Sequence, residues 1–526
     1  VVYISVYDLK TFVEGMPNDK VYLLQELFTI TFEEMEDIVD ERTGDVSTIR
    51  CTKKKIYLTT SDEVLWVYSG LLHYLNKYLI EMGYTQDQLT YRDFRVKTKS
   101  KELTYPIFDW ITDTLRLRPD YQTPVVETIL QKRRGIIFVP TRGGKTEMLI
   151  CAVQNYLDNE NSRGKVTIIV RKSPLADNMF DRFRLRGFES VGKLYGGRAD
   201  YYCDILVCVV NSVFNVLKKE ESGRLRRKDL VLFNRITSTD FLIVDEIQDG
   251  SADMFQYSLF RMMDINYPDI AVACSGTPYM NESNPSEHVR DMNIQQVFGQ
   301  VIKRISDEYL IEQGYKSRGN VIWLAYKMEY PKFTMSNYTA IYKTFIVANF
   351  ARNFRAVECI SLIVSFNKRC LVLVNRINHG KIILDMLKNI PYNKRCVFSS
   401  AEETWELKYG KSSRTSISDV VSEFNSGGID VLIGTNIYNV GVDFPGCKWM
   451  VLLSGEGFEN DILNKQRTSR VLSPDKKDNN GYIVDFVDQL NPVTMKHSRS
   501  RKDIYENSRY NQFSDPSVLT DFLNRD

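Results

Sequence analysis

The chain has 526 residues, 43% of them hydrophobic and 26% charged, which suits an ordinary globular protein of about three or four domains. Its formal net charge of +2 neither demands nor excludes a nucleic-acid partner, because a basic face can be offset by an acidic one. No apolar run approaches the roughly 18–20 residues of a membrane span, no C-x-x-C pair marks a zinc site among the nine cysteines, and no signal-peptide pattern opens the sequence; the expectation is a cytoplasmic protein with reduced thiols and no membrane partner.

Residues 1–112 read as an N-terminal α/β accessory segment. Residues 1–6 predict a strand and residues 21–28 a helix. Residues 48–52 and 56–60 predict a strand pair, with Lys53, Lys54 and Lys55 at its turn. Residues 64–82 predict an amphipathic helix, because Leu65, Leu72, Leu75 and Leu79 stand near helical spacing. The three lysines either meet nucleic-acid phosphates or form a solvated turn.

Residues 113–330 alternate strands with helices, as a parallel sheet covered on both faces would. At the centre is an apolar strand, residues 135–139, followed by Pro140-Thr141-Arg142-Gly143-Gly144-Lys145-Thr146 and a helical stretch. Glycines let backbone N–H groups close on phosphates, and the helix N-terminus favours their charge. ATP is the expected ligand, with Lys145 on its β/γ-phosphates and Thr146 on Mg2+. Val139 stands where the full phosphate-loop pattern wants a glycine. Upstream, Tyr121-Gln122 offers an amide that can both donate to and accept from an adenine edge.

The strand at 166–170 is followed by Arg171 and Lys172, and the strand beginning at 205 by Asn211 and Ser212. These polar strand ends are placed to meet a nucleic-acid backbone, or are ordinary loop polarity. Residues 218–228 are basic on balance and read as a surface loop, solvated or in contact with nucleic acid. The apolar run 241–244 then ends in Asp245-Glu246-Ile247-Gln248. Asp245 at the strand end can hold Mg2+ through its water shell. Glu246 points elsewhere and can orient and deprotonate the attacking water. Another strand ends in Ser275-Gly276-Thr277-Pro278, whose hydroxyls can sense Gln248 and the acids.

Residues 331–490 form a second alternating unit without a phosphate loop. A helix-like connector spans 341–366, and strands fall at 369–375, 395–400 and 430–435. Gln466-Arg467-Thr468-Ser469-Arg470 opens a short helix, and Arg470 can serve a nucleotide held by the first unit. Residues 491–526 form a basic tail, expected to be helical, that either lies on DNA or packs on the second unit.

The motifs Tyr121-Gln122, 140–146, 245–248, 275–278, His379-Gly380-Lys381, Gly441-Val442-Asp443 and 466–470 follow one another as they do in superfamily 2 helicases, which the chain resembles over roughly its last four hundred residues. Within that superfamily it looks most like phage UvsW-type branch-migrating helicases. This closer likeness rests on Asn375-Arg376-Ile377-Asn378-His379-Gly380-Lys381 with Leu384-Asp385, on Arg470-Val471-Leu472, and on the basic tail around Tyr505.

The resemblance implies an α/β protein of two tandem RecA-like parallel-sheet domains with a small N-terminal accessory domain. It implies Mg·ATP held by Tyr121, Gln122, Thr141, Gly143, Gly144, Lys145, Thr146, Gly441 and Asp443. Glu246, Asp245, Gln248, Arg470 and Gln466 would carry hydrolysis, and Ser275 and Thr277 would couple it to movement. Arg171, Lys172, Asn211, Ser212, Asn375 and Thr435 would touch nucleic acid, expected to be branched DNA. One departure stands out: Ser469 and Ser473 occupy the places of the family's glycine and last arginine. Loss of a finger arginine costs on the order of 10³-fold in rate. That departure motivates one alternative, a nucleotide-locked nucleic-acid scaffold with weak turnover; the other alternative is an RNA helicase of the same superfamily.

Overall fold

The computed structural model describes residues 1–39, 46–61, 64–112, 115–249, 253–276, 284–327, 337–389, 394–401, 403–407, 410–411, 416–438, 444–456, 467–473 and 479–525. The chain divides into two compact units, Val1–Pro140 with Gly144–Ile305 and Thr141–Gly143 with Ser306–Asp526.

In the first unit an eight-stranded sheet runs in the order Arg198–Ala199, Val191–Tyr195, Ile205–Val209, Val166–Val170, Phe241–Asp245, Ile270–Ser275, Arg134–Phe138, Val301–Arg304. All pairings are parallel except that of the two-residue edge strand. The near-continuous apolar strands follow from burial on both faces. Ile137, Ile168, Ile243 and Val272 fill one core, while Ile136, Ile169, Leu242 and Val244 fill the other.

The same unit carries a five-stranded N-terminal sheet. Here the local expectations need correction. Residues 48–60 do not fold back on themselves. Val46–Ile56 is one strand, antiparallel to Thr29–Val39, so Lys53, Lys54 and Lys55 lie within a ribbon rather than at a turn. A full-length partner strand supplies the hydrogen bonds that a local hairpin would otherwise provide. Residues 64–82 are likewise not one helix. Val64–Tyr68 is a strand with Leu65 and Val67 buried, and the helix is Leu72–Glu81. The break falls at Ser69-Gly70, where a side chain on Gly70 would collide with the main chain of Gln295 and Gln296.

The second unit holds a nine-stranded sheet whose central strands, Cys396–Ser399, Val431–Gly434, Cys370–Leu373, Trp449–Leu452, Asn480–Phe486 and Arg318–Leu324, are parallel neighbours in that order. Val372, Ile433 and Val451 face one core, and Leu371, Leu432 and Met450 the other. Arg318–Leu324 belongs to this sheet, so the chain enters the second unit before residue 330. Asn511–Phe513 is its edge strand, so the tail beyond 491 is part of the unit. The connector 341–366 is broken, with Tyr338–Tyr342 and Phe350–Ser365 as separate helices. Asn349 caps the second by accepting from the Arg352 N–H at 3.1 Å. Both units are thus helix-covered parallel sheets, the architecture of tandem RecA-like domains. Among the described residues no helix is long and apolar enough to cross a membrane.

Candidate active site

Parallel strands send their carboxyl ends to one edge of a sheet, and ligands of such sheets bind at that edge. In the first unit the strand pairing sets Phe138 beside Ser275 and Asp245 beside Cys274. The turn holding Thr141, Gly143 and Gly144, the Asp245-Glu246 pair and Ser275 therefore emerge together.

Helix Lys145–Asn159 starts at Gly144, whose φ of 78° lies in the left-handed region that glycine adopts freely. A side chain at Gly144 would also strike the Gln122 amide, so the glycine lets Gln122 lie on the loop. Gln122 is fixed from behind, its Oε1 accepting from the Arg118 N–H at 2.8 Å. Arg118 Nη1 in turn donates to the Tyr121 hydroxyl at 2.7 Å. Tyr121 and Gln122 are both buried.

A chain of polar contacts crosses this edge. Lys145 Nζ lies 3.2 Å from Glu246 Oε1. Gln248 Nε2 donates to Glu246 Oε2 at 2.8 Å, and the Ser275 hydroxyl donates to Gln248 Oε1 at 2.8 Å. Glu246 has a φ of 54°, a left-handed conformation that costs a non-glycine residue on the order of 1–3 kcal/mol. Its N–H donates to Asp245 Oδ1 at 3.0 Å, which directs the two acids apart. Burial pushes the Asp245 carboxyl up to about 6, against the pull of Lys145. Burial also opposes the charge on Lys145, but the Glu246 and Asp245 carboxylates outweigh it and hold the ammonium above its usual range. The Thr146 hydroxyl and the Asp245 carboxylate are hard oxygen donors of the kind Mg2+ takes alongside phosphate oxygens.

Arg171 and Lys172 are exposed at the end of Val166–Val170, where Lys172 precedes helix Ser173–Leu185. Asn211 and Ser212 open helix Val210–Glu221 at the same edge. In the second unit Asn375 and Thr435 follow the adjacent strands Cys370–Leu373 and Val431–Gly434. Arg467 reaches Asn375 Oδ1 and Ser454 Oγ, each at 3.4 Å. Arg470, on the turn Ser469–Val471, is buried. At Ser473 the carbonyl accepts from Ser317 Oγ at 2.7 Å and Lys448 Nζ at 2.8 Å, so the segment is anchored where the family places an arginine. Thr277, Gly441, Asp443 and Gln466 lie outside the described residues.

His379 is buried, and its Nε2–H donates to Asn353 Oδ1 at 2.9 Å. Burial, aided by Arg352, pushes this imidazole down to about 3, so the ring is neutral. The sequence reading missed a second polar cluster, built from Arg352, Asp485, Asp488, Arg501 and Tyr505. Arg501 Nε binds Asp485 at 3.0 Å and its Nη2 binds Asp488 at 3.2 Å, while Arg352 Nε donates to Asp488 at 2.7 Å. The available signal was periodicity, since Thr494, Ser498, Arg501 and Tyr505 recur at the three- and four-residue steps of one helix face.

Two family descriptions match the chain: DEAD/DEAH box helicase over residues 119–284 and helicase conserved C-terminal domain over residues 353–474. No curated protein matches it by sequence. Among solved structures, UvsW of bacteriophage T4 aligns at 17% identity over 98% of both chains, with a TM-score of 0.39. Dbp5 of S. cerevisiae, bound to RNA and ADP BeF3, aligns at 10% identity over 78% of this chain and 94% of its own, with a TM-score of 0.52. At that identity the Dbp5 likeness concerns the fold. The matched motor domains and the two parallel sheets agree, and the chain belongs to the DEAD/DEAH-type superfamily 2 helicases, which are ATP-driven enzymes.

Proposed function

We propose that this helicase acts on DNA, remodelling or unwinding branched DNA during recombination, repair or replication. The observation that carries its motor role is the continuous contact chain Lys145–Glu246–Gln248–Ser275. Lys145 sits where the phosphates of a nucleotide would lie, at the start of a helix. A γ-phosphate competing for its ammonium frees Glu246 to take a proton from the attacking water. Gln248 then reports the change at Glu246 to Ser275 through one side-chain amide. Bound Mg2+ supplies positive charge to the phosphate oxygens, and Thr146 and Asp245 are the residues that would hold it. Arg171, Lys172, Asn211, Ser212, Asn375 and Thr435 take the nucleic-acid backbone without reading its bases. The preference for DNA over RNA rests on the motif likeness around residues 375–385 and 470–472.

Steady-state ATP hydrolysis measured without nucleic acid, then with single-stranded DNA, a four-way junction and RNA, tests the reading. Strong stimulation by the junction, lost in Lys145→Ala, is the expected result. Stimulation by RNA alone would replace DNA with RNA as the substrate. No turnover on any of them would make the chain a nucleotide-locked scaffold.

A further inference from the structure

The basic stretch 218–228 is a loop over 222–226 flanked by the end of one helix and the start of the next. Helix Val210–Glu221 descends from the carboxyl edge of the first sheet. Gly223, at a φ of 66°, reverses the chain, with Arg224 N–H donating to the Lys219 carbonyl at 2.8 Å. Helix Arg227–Thr237 follows. Its Arg235 donates to the carbonyls of Cys203 (2.9 Å), Asp204 (2.9 Å) and Val166 (2.8 Å), where strands Ile205–Val209 and Val166–Val170 begin. This helix therefore lies at the amino edge of the sheet, opposite the phosphate loop.

Between the two helices opens a cavity of about 770 Å3 lined by Lys219, Arg224, Arg226, Arg227, Lys228 and Asp229. Asp229 is the single carboxylate of the lining. Its charge is taken by Lys219 at 3.0 Å, and it also accepts from the Arg226 N–H at 3.3 Å. Arg224, Arg226, Arg227 and Lys228 are exposed, and among the described residues none of the four is ion-paired at short range. Arg227 and Lys228 stand in the first turn of their helix, at the positive end of its dipole, where cations are disfavoured. Four cations without a close ion pair, of which only Arg226 feels the Asp229 charge and two are set against a helix dipole, on a chain whose net charge is only +2, form a local field that an anion would relieve.

We propose that this pocket binds the sugar–phosphate backbone of a nucleic-acid strand, as a second contact remote from the ATP-binding edge. Guanidinium groups grip phosphate oxygens in pairs, and three arginines with a lysine suit successive phosphates of one strand. Such contacts anchor a strand without reading sequence.

The test is equilibrium binding of the full chain to labelled single-stranded and duplex oligonucleotides across a salt series. A variant carrying Arg224→Ala, Arg226→Ala, Arg227→Ala and Lys228→Ala is compared with a charge-matched control, Lys77→Ala with Lys99→Ala, Lys132→Ala and Lys327→Ala, all at exposed positions. The pocket variant should bind about tenfold more weakly at low salt. Its plot of log K against log salt should be shallower by about 3, the share of four lost phosphate contacts. Its thermal midpoint should be no lower than wild type, because a repulsion has been removed. Affinity and slope equal to those of the control would overturn the proposal. So would full displacement of the oligonucleotide by millimolar inorganic phosphate at constant ionic strength, which would mark a free-anion pocket. The single change Arg226→Glu provides a second reading and should weaken binding several-fold more than Lys132→Glu. None of these readouts needs ATP turnover, so the proposal fails or stands separately from the motor reading.

Discussion

Each unit gathers buried cations and carboxylates near the carboxyl edge of its parallel sheet, yet the two clusters are built differently. In the second unit Arg501 and Asp485 have side chains 0% exposed. Arg501 also donates to the carbonyls of Glu456 and Phe486, and the Tyr505 hydroxyl completes Asp485 at 2.8 Å. In the first unit Lys145 and Glu246 keep 11% and 15% side-chain exposure and meet through one contact of 3.2 Å. Glu246 also holds a strained backbone. A cluster whose hydrogen-bonding groups are largely satisfied ties a helix to a sheet. A cluster that keeps some solvent exposure and a strained member can exchange partners, as catalysis requires.

The comparison breaks most severely at Arg501. Arg501→Met leaves Asp485 and Asp488 buried with reduced compensation, and should cost about 3–5 kcal/mol in denaturant unfolding of the chain. A loss below about 1 kcal/mol would show that the cluster is not a structural tie.

The next effect lies at His379 and reads through pH. The unfolded chain takes up a proton near the ordinary imidazole value of 6.5, whereas the folded ring refuses it until about 3. The unfolded state therefore binds more protons between those values. Stability falls as pH drops through that window, at about 1.4 kcal/mol per pH unit. His379→Gln, which keeps a donor for Asn353, should flatten that part of the stability profile, as followed by thermal or denaturant unfolding from pH 7 to 4. An unchanged slope would deny the neutral buried ring.

The smallest effect is expected at Ser275. Ser275→Ala removes one hydrogen bond to Gln248, about 0.5–1.5 kcal/mol. Stimulation of ATP turnover by nucleic acid should fall several-fold while turnover without nucleic acid stays within about twofold. Equal loss of both would place Ser275 in the chemical step instead of in coupling.

The first cluster was legible in the sequence because its parts are local. Residues 140–146 and 241–248 each join an apolar strand to the polar groups that leave it, and the parallel fold brings such ends together. The second cluster was not, because Arg501 and Asp485 become partners only when helix Pro492–Asn507 docks on strand Asn480–Phe486. Lys53, Lys54 and Lys55 misled for the same reason, since the partner of their strand is Thr29–Val39, remote in sequence. The helical spacing of Leu65 with Leu72 was coincidence, because Leu65 alternates with Val67 in a strand that ends before Gly70. Local pattern reveals groups that leave strand ends, and it is silent on pairs that docking creates.

The most direct test of the account is Glu246→Gln, followed by ATP binding and by turnover on a four-way junction. In the proposed mechanism Glu246 is the general base, so ATP should still bind within about threefold of wild type in its absence. Turnover should fall by roughly 10²–10⁴-fold. Turnover equal to that of wild type would contradict the account, because water activation would then lie outside the cluster on which it rests.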